Sequence, residues 1–289
     1  MPITEEMRVA RRQWVGASDV AAIMGVSPYA TAADIWAEKL GMLEPDKSTK
    51  PWIAMGNRYE AGILAFAEEQ LGTLKTVTDP IQCPNLNCLR VIPDAIVASN
   101  GHPVDAKMSG IGNLSVREQW GEAESGDIPQ HYILQITAQA ICCRSDIAHL
   151  AALIGDRGEV IYHVARDAEI SEAIIESVNT FWHHNVQKRI KPEGSELSPE
   201  VVRRLKRVPG KTIEGDRRLL DAWMVAREYR LQAEKAEDGL LHLLVSSLGD
   251  AEGADFPHGQ FTYLLQKRKG YAVEPTEYRV PKFKTHKGE

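Results

Sequence analysis

Residues 91–109 read Val91-Ile92-Pro93-Asp94-Ala95-Ile96-Val97-Ala98-Ser99-Asn100-Gly101-His102-Pro103-Val104-Asp105-Ala106-Lys107-Met108-Ser109. Two short β-prone runs flank Ser99 to Pro103, a strong turn signal. Asp94 sits at the end of one run. Asp105 and Lys107 lie two apart on the other, so their side chains share a face of a strand. Folding the runs together brings two carboxylates and an ammonium to one place. Two carboxylates held together repel unless a cation lies between them. A hard divalent ion meets that need, and Mg²⁺ typically uses one or two carboxylates plus a substrate phosphate. A lysine beside such an ion can orient or deprotonate a water, the arrangement expected for metal-assisted phosphodiester hydrolysis. The plainer alternative is a solvated Asp105/Lys107 pair at a sheet edge.

Upstream, Arg11 and Arg12 precede Gly16-Ala17-Ser18-Asp19. Ser18 is expected to N-cap a short helix ending at Gly25, with a second helix from Ala32 to Leu40. A helix start beside Arg11 or Arg12 can hold a phosphate; equally, these are a capped helix and surface arginines. A helix from Trp52 to Leu71 carries Glu60 near its start, where the dipole favours a carboxylate. Glu60 is also a candidate third carboxylate. Strands are expected at Thr76 to Cys83, Leu89 to Val97 and Val104 to Met108, with a short helix near Ser115 to Trp120. Pro129 suits the first turn of a long helix bearing Tyr132 and Gln135. Asp146 to Ile154 and Glu159 to Val164 read as a hairpin, and Ile170 to Ile190 as an amphipathic helix.

Lys191 to Ser195 reads as a linker. Beyond it come a short basic helix (Ser198 to Arg207), a long charged helix (Asp216 to Leu248), a loop (Gly249 to Gly259), and strands at Gln260 to Lys267 and Glu277 to Phe283 with a basic surplus that is either a solvated surface or a contact to DNA backbone. Two parts are therefore expected, 1–192 and 193–289. The chain of 289 residues is 43% hydrophobic and 26% charged with a net charge of −6. That is ordinary for a globular protein and argues against a general nucleic-acid coat, though not against a local basic groove. No apolar run approaches the ~20 residues that span a bilayer, and no apolar signal core opens the chain, so a cytoplasmic location is expected. The four cysteines fit a reducing compartment; Cys83 and Cys88 allow a metal site, but the adjacent Cys142 and Cys143 are poor chelate spacing and read as buried helix residues.

The ordered motifs resemble the YqaJ-type viral recombinase family of PD-(D/E)xK nucleases, to which phage lambda exonuclease belongs. Arg12 with Gly16 to Asp19 and Gly25 to Tyr29 resembles its opening, Gly56 to Glu60 its glycine-to-glutamate helix, Pro93-Asp94 and Asp105-Ala106-Lys107 its nuclease core, and Tyr132 to Gln135 its Tyr-x-x-Gln helix. The family usually has Glu where this chain has Asp105. The resemblance spans residues 9 to 192 and implies an α/β fold, a mixed central sheet flanked by helices, here with a C-terminal helical arm and basic hairpin. It implies metal binding by Asp94, Asp105 and Glu60, water activation or positioning by Lys107, and orientation of the cluster by Gln135. Arg12 (or Arg11), Ser18 and Tyr132 would contact substrate. It further implies a Mg²⁺-dependent 5′-to-3′ exonuclease on double-stranded DNA ends, Mn²⁺ substituting. The products would feed phage-type recombination through a single-strand annealing partner, with a ring-shaped homotrimer in some members. The competing expectations are an endonuclease or repair nuclease on the same core, and a catalytically silent DNA-binding adaptor.

Overall fold

The computed structural model describes residues 5–46, 51–110, 117–123, 126–155 and 157–266. Two compact units divide at Pro209 and Gly210. The first begins with three short helices, α1 (Glu5–Arg11), α2 (Ala17–Ile23) and α3 (Ala32–Lys39), then the long α4 (Pro51–Leu71). A five-stranded sheet follows: β1 (Leu74–Thr76), β4 (Ala95–Val97), β5 (Pro103–Ser109), β6 (Ile147–Ile154) and β7 (Gly158–Ala165), in that spatial order. β5 and β6 pair in parallel; every other neighbour is antiparallel. The parallel pair needs a crossover, and α5 (Gln130–Cys143) supplies it. β2 (Ile81–Cys83) and β3 (Leu86–Val91) form a separate hairpin.

Both runs expected as single strands upstream of the turn are split. Thr76 to Cys83 breaks before Pro80, and Leu89 to Val97 breaks at Pro93. Proline has no N–H for a ladder and restricts the residue before it. The second break puts Asp94 at a corner between two sheets.

Side chains alternate across β5. Val104, Ala106 and Met108 join Ile63 and Ala67 of α4 on one face. Asp105 and Lys107 therefore project to the other face, the one α5 covers. There Ile136 and Ala140 pack on Leu150, Ala152, Ile154 and Tyr162. The outer side of α5 packs Leu134, Ala138, Ile141 and Cys142 against α2 and α6 (Ala168–Thr180). Cys83, Cys88 and Cys142 are buried in this core and all four cysteines are free thiols, in accord with the packing reading. The neighbouring Cys142 thiol lowers the Cys83 pKa to about 6 against its burial.

The helix expected over Ile170 to Ile190 changes character midway: Phe181–Val186 is π-helical, with Gln187 N–H donating to Trp182 O at 2.9 Å. The segment read as a linker is tied down. Ser195 accepts from Ala33 N–H, and α7 (Pro199–Arg204) buries Val201 against Ala37 and Leu43.

The second unit holds α8 (Arg217–Ser247), whose residues are none of them buried, and a hairpin of β8 (Gly253–Phe256) and β9 (Gly259–Thr262). The expected loop over Gly249 to Gly259 thus contains a strand, because Pro257-His258 makes a tight turn four residues after Gly253. The expected strand over Glu277 to Phe283 and the basic residues from Lys267 onward lie outside the described residues.

Candidate active site

The cluster is built outward from β5. β4 pairs with β5 only as far as Val104. The next amide on that edge, Ala106 N–H, donates instead to Asp94 Oδ2 at 2.8 Å. Asp94 is thereby pinned against the strand that carries Asp105. Asp105 is 2% exposed and its carboxylate is crowded with donors. Lys107 pairs with Oδ2. Gln135 Nε2 reaches both oxygens at 3.2 Å, and Gln139 Nε2 reaches Oδ1 at 2.7 Å.

Burial, reinforced by Asp105, pushes the Asp94 carboxyl up to about 7, although Lys107 and the Ala106 N–H pull it down. Burial acts to lower the Lys107 pKa, but Asp105, Asp94 and Glu60 outweigh it and raise it. Lys107 is thus held charged. Glu60 stands on α4, the helix covering the opposite face, and its charge is felt at both Asp94 and Lys107. Among the described residues no three His, Cys, Asp or Glu side chains close on a single metal-sized point. The donor chemistry nonetheless fits a hard divalent cation. Asp94 and Asp105 repel across a confined space, and a cation between them removes the penalty that raises Asp94.

The cluster floors a cleft of about 160 Å³. Arg11, Ser18 and Arg90 form its basic and polar wall. This wall is brought in by a single bridge between Val15 and Leu89, with Val15 N–H on Cys88 O at 2.7 Å and Arg90 N–H on Val15 O at 3.0 Å. The bridge fixes the start of α2 beside the strand that leads into Asp94.

Ser18 does not cap α2. Gly16 is the N-cap, in extended conformation, and Asp19 at the third helical position accepts its N–H at 2.8 Å. Asp19 is held there by buried Lys39, 2.6 Å away. With capping done by Asp19, the Ser18 hydroxyl is left for the cleft, where Arg11 Nη2 donates to it at 3.4 Å. The two arginines part company. Arg11 and Ser18 line both the cleft over Asp105 and an adjoining cleft of about 320 Å³, while Arg12 lines the adjoining cleft alone, with Glu44 and Arg204. Tyr132 sets its ring 5.9 Å from the Lys107 ammonium and packs against His131 and Trp120.

Two residues of the cleft escaped the sequence reading. Gln139 follows Gln135 by one helical turn, so the i, i+4 spacing places both on one face. Arg90 carries no such signal; its guanidinium lies 5.1 Å over the Trp14 ring.

A mixed sheet with a helix on each face, a parallel crossover, and two aspartates and a lysine at the strand break define the PD-(D/E)xK-like nuclease fold. Residues 7–146 match the family described as YqaJ-like viral recombinase domain, the family its ordered motifs resemble. The chain is 23% identical over 205 residues to the "Uncharacterized protein YqaJ" of Bacillus subtilis (strain 168), covering 69% of this chain and 62% of that relative. The chain therefore spans less than two thirds of the curated relative's length. Its fold is similar to the alkaline exonuclease LHK-Exo from Laribacter hongkongensis, at a TM-score of 0.51, 20% identity, 65% of this chain and 94% of that one. A second structure of LHK-Exo, in complex with dAMP, gives a TM-score of 0.52 at 19% identity, again over 65% and 94%. At that identity the likeness speaks for the fold alone.

Proposed function

We propose that this chain is a Mg²⁺-dependent deoxyribonuclease that degrades double-stranded DNA from its ends in the 5′-to-3′ direction, leaving single strands for phage-type recombination. The observation carrying this reading is the cleft itself: Asp94, Asp105 and charged Lys107 on one side, Arg11 and Arg90 on the other. Such a space suits a phosphodiester bridged to the carboxylates by cations and clamped by guanidinium groups.

Asp94 and Asp105 would hold the divalent ion, with Glu60 acting directly or through water. When bound, the ion supplies a nucleophile at neutral pH and offsets charge on the phosphoryl oxygens. Lys107, its pKa raised by the neighbouring carboxylates, would orient or activate the attacking water and stabilise the charge that develops. Gln135 holds Asp105 in place. Arg11 and Ser18 would take a phosphate, the 5′-terminal one in an end-directed enzyme. Tyr132, packed beside Lys107, limits where that ammonium can go. A homo-oligomer, an annealing partner and a cytoplasmic setting follow from the family resemblance. No described helix is long and apolar enough to cross a membrane.

The test uses end-labelled linear duplex and closed circular plasmid, with Mg²⁺ or with EDTA. Digestion of the linear duplex alone, abolished by EDTA and reduced at least ~10³-fold in Lys107→Ala, is the expected result, since a charge acting on the transition state is worth that order. Cutting of the closed circle would replace the exonuclease reading with an endonuclease. Equal digestion by Lys107→Ala would remove the catalytic assignment.

A further inference from the structure

Gln139 is 1% exposed, yet it lines the cleft. Its Nε2 makes the shortest amide contact to Asp105, 2.7 Å, against 3.2 Å for those of Gln135. Its other end is the informative one. Oε1 is buried and has no hydrogen-bond partner. A buried acceptor left unpaired is costly, and native proteins rarely tolerate one without a ligand or water to satisfy it. Turning the amide over does not help, because it would set Oε1 against a carboxylate that has no donor when ionised. The donor end is therefore committed to Asp105, and the acceptor end awaits a donor in the cleft. A volume of about 160 Å³ has room for several waters at ~30 Å³ each.

We propose that Gln139 is a second positioning residue of the site. Its N–H fixes the Asp105 carboxylate for a divalent cation, and its buried Oε1 accepts a hydrogen bond from a water in the cleft. The assignment rests on the nuclease reading above. It adds to that of Gln135, whose single Nε2 straddles both oxygens of Asp105 at 3.2 Å. Gln139 holds one oxygen and so fixes the orientation of the other. Groups that orient a metal ligand in this way typically control affinity or activity by 10–100-fold.

The experiment compares wild type with Gln139→Met, Gln139→Leu and Gln139→Glu. Three quantities are measured: Mn²⁺ affinity by calorimetry, melting temperature without added metal, and steady-state cleavage of linear duplex. Mn²⁺ affinity and kcat are expected to fall about 10-fold or more in Gln139→Met and Gln139→Leu, and kcat likewise in Gln139→Glu, with KM for DNA within about two-fold. Without metal, Gln139→Met is expected to melt no lower than wild type, since it also removes the unpaired oxygen. A purely structural glutamine would do the reverse, lowering the melting temperature while leaving Mn²⁺ affinity and kcat per folded molecule intact. Gln139→Glu keeps the shape but sets a carboxyl in place of the amide donor against Asp105, so its kcat per folded molecule decides the matter if the apolar variants fold poorly. Wild-type-like Mn²⁺ affinity and kcat in a folded variant would overturn the role of Gln139 alone. A wild type that neither binds Mn²⁺ nor cuts DNA would overturn the nuclease reading, and this assignment with it.

Discussion

Two residues titrate in opposite senses on folding. Asp94 is raised from 3.8 to about 7 by burial and by Asp105. The folded protein keeps a proton that the unfolded chain gives up, so this stabilisation is complete below about pH 4 and is lost as pH rises to 7. His149 is lowered from 6.5 to about 4 by burial and by the neighbouring His163 and His102 imidazoles, which contact it at 2.8 and 3.2 Å. Its contribution is present above about pH 6.5 and is lost as pH falls to 4. The two partly cancel in the wild type. Asp94→Asn is expected to melt higher than wild type at pH 8 without metal and to show only the acid-side loss. His149→Asn is expected to show only the Asp94 slope. Added Mg²⁺ should raise the wild-type melting temperature at pH 8 and leave that of Asp94→Asn nearly unmoved. Thermal melts from pH 4 to 8 check all three. A parallel pH dependence in wild type and Asp94→Asn would show that the carboxylate pair is not strained.

At the scale of elements, α2 and α3 are joined by one buried ion pair. Lys39 of α3 is 7% exposed; its ammonium reaches Asp19 at 2.6 Å and Arg11 O at 3.1 Å. Asp19 in turn accepts the N–H of Gly16, the N-cap of α2. Lys39 and Arg11 hold the Asp19 carboxyl below its usual range against its burial. Removing one partner of such a pair strands the other, which costs roughly 3–5 kcal/mol. Lys39→Ala is expected to lose that much by denaturant unfolding, and to free the loop that presents Arg11 and Ser18. It should also erase any preference for 5′-phosphorylated over 5′-hydroxyl ends, as Arg11→Ala should and Arg12→Ala should not. An equal effect of Arg11→Ala and Arg12→Ala would place the DNA end in the adjoining cleft that both arginines line.

These elements also show what the sequence made legible. The alternation through Asp105 and Lys107, the turn at Asn100-Gly101 and the crossover helix after Pro129 all follow from local rules, and the fold follows from them. The details that resisted are settled by partners distant in sequence. Ser18 looked like the cap because its hydroxyl suits the part. Lys39, twenty residues on, instead commits Asp19 to capping. Arg90 enters the cleft only because Val15 pairs with Leu89. The π-turn at Phe181–Val186 sits in a stretch whose apolar spacing continues the preceding helix without a break.

At the scale of the molecule, charge is sorted and not uniform. A net charge of −6 coexists with a cleft where Arg11 and Arg90 face the carboxylates. DNA association is therefore expected to weaken with salt by a shallow slope, a few phosphates' worth, instead of the steep slope of a coating protein. Filter binding of linear duplex with Ca²⁺ in place of Mg²⁺, between 50 and 200 mM salt, measures it. A steep slope would place most of the contact in basic segments beyond the cleft.

The Ala106 amide ends its hydrogen bond not on a neighbouring strand but on the carboxylate of Asp94. A backbone proton is thus wired to the one group expected to change its charge state when the site fills. In a nitrogen–proton correlation spectrum, that peak is a built-in gauge. It should move through a midpoint near pH 7 in the free protein, stop moving when Mg²⁺ is added, and stay still in Asp94→Asn. The protein carries its own indicator of occupancy, readable without DNA, without turnover and without a label at the site.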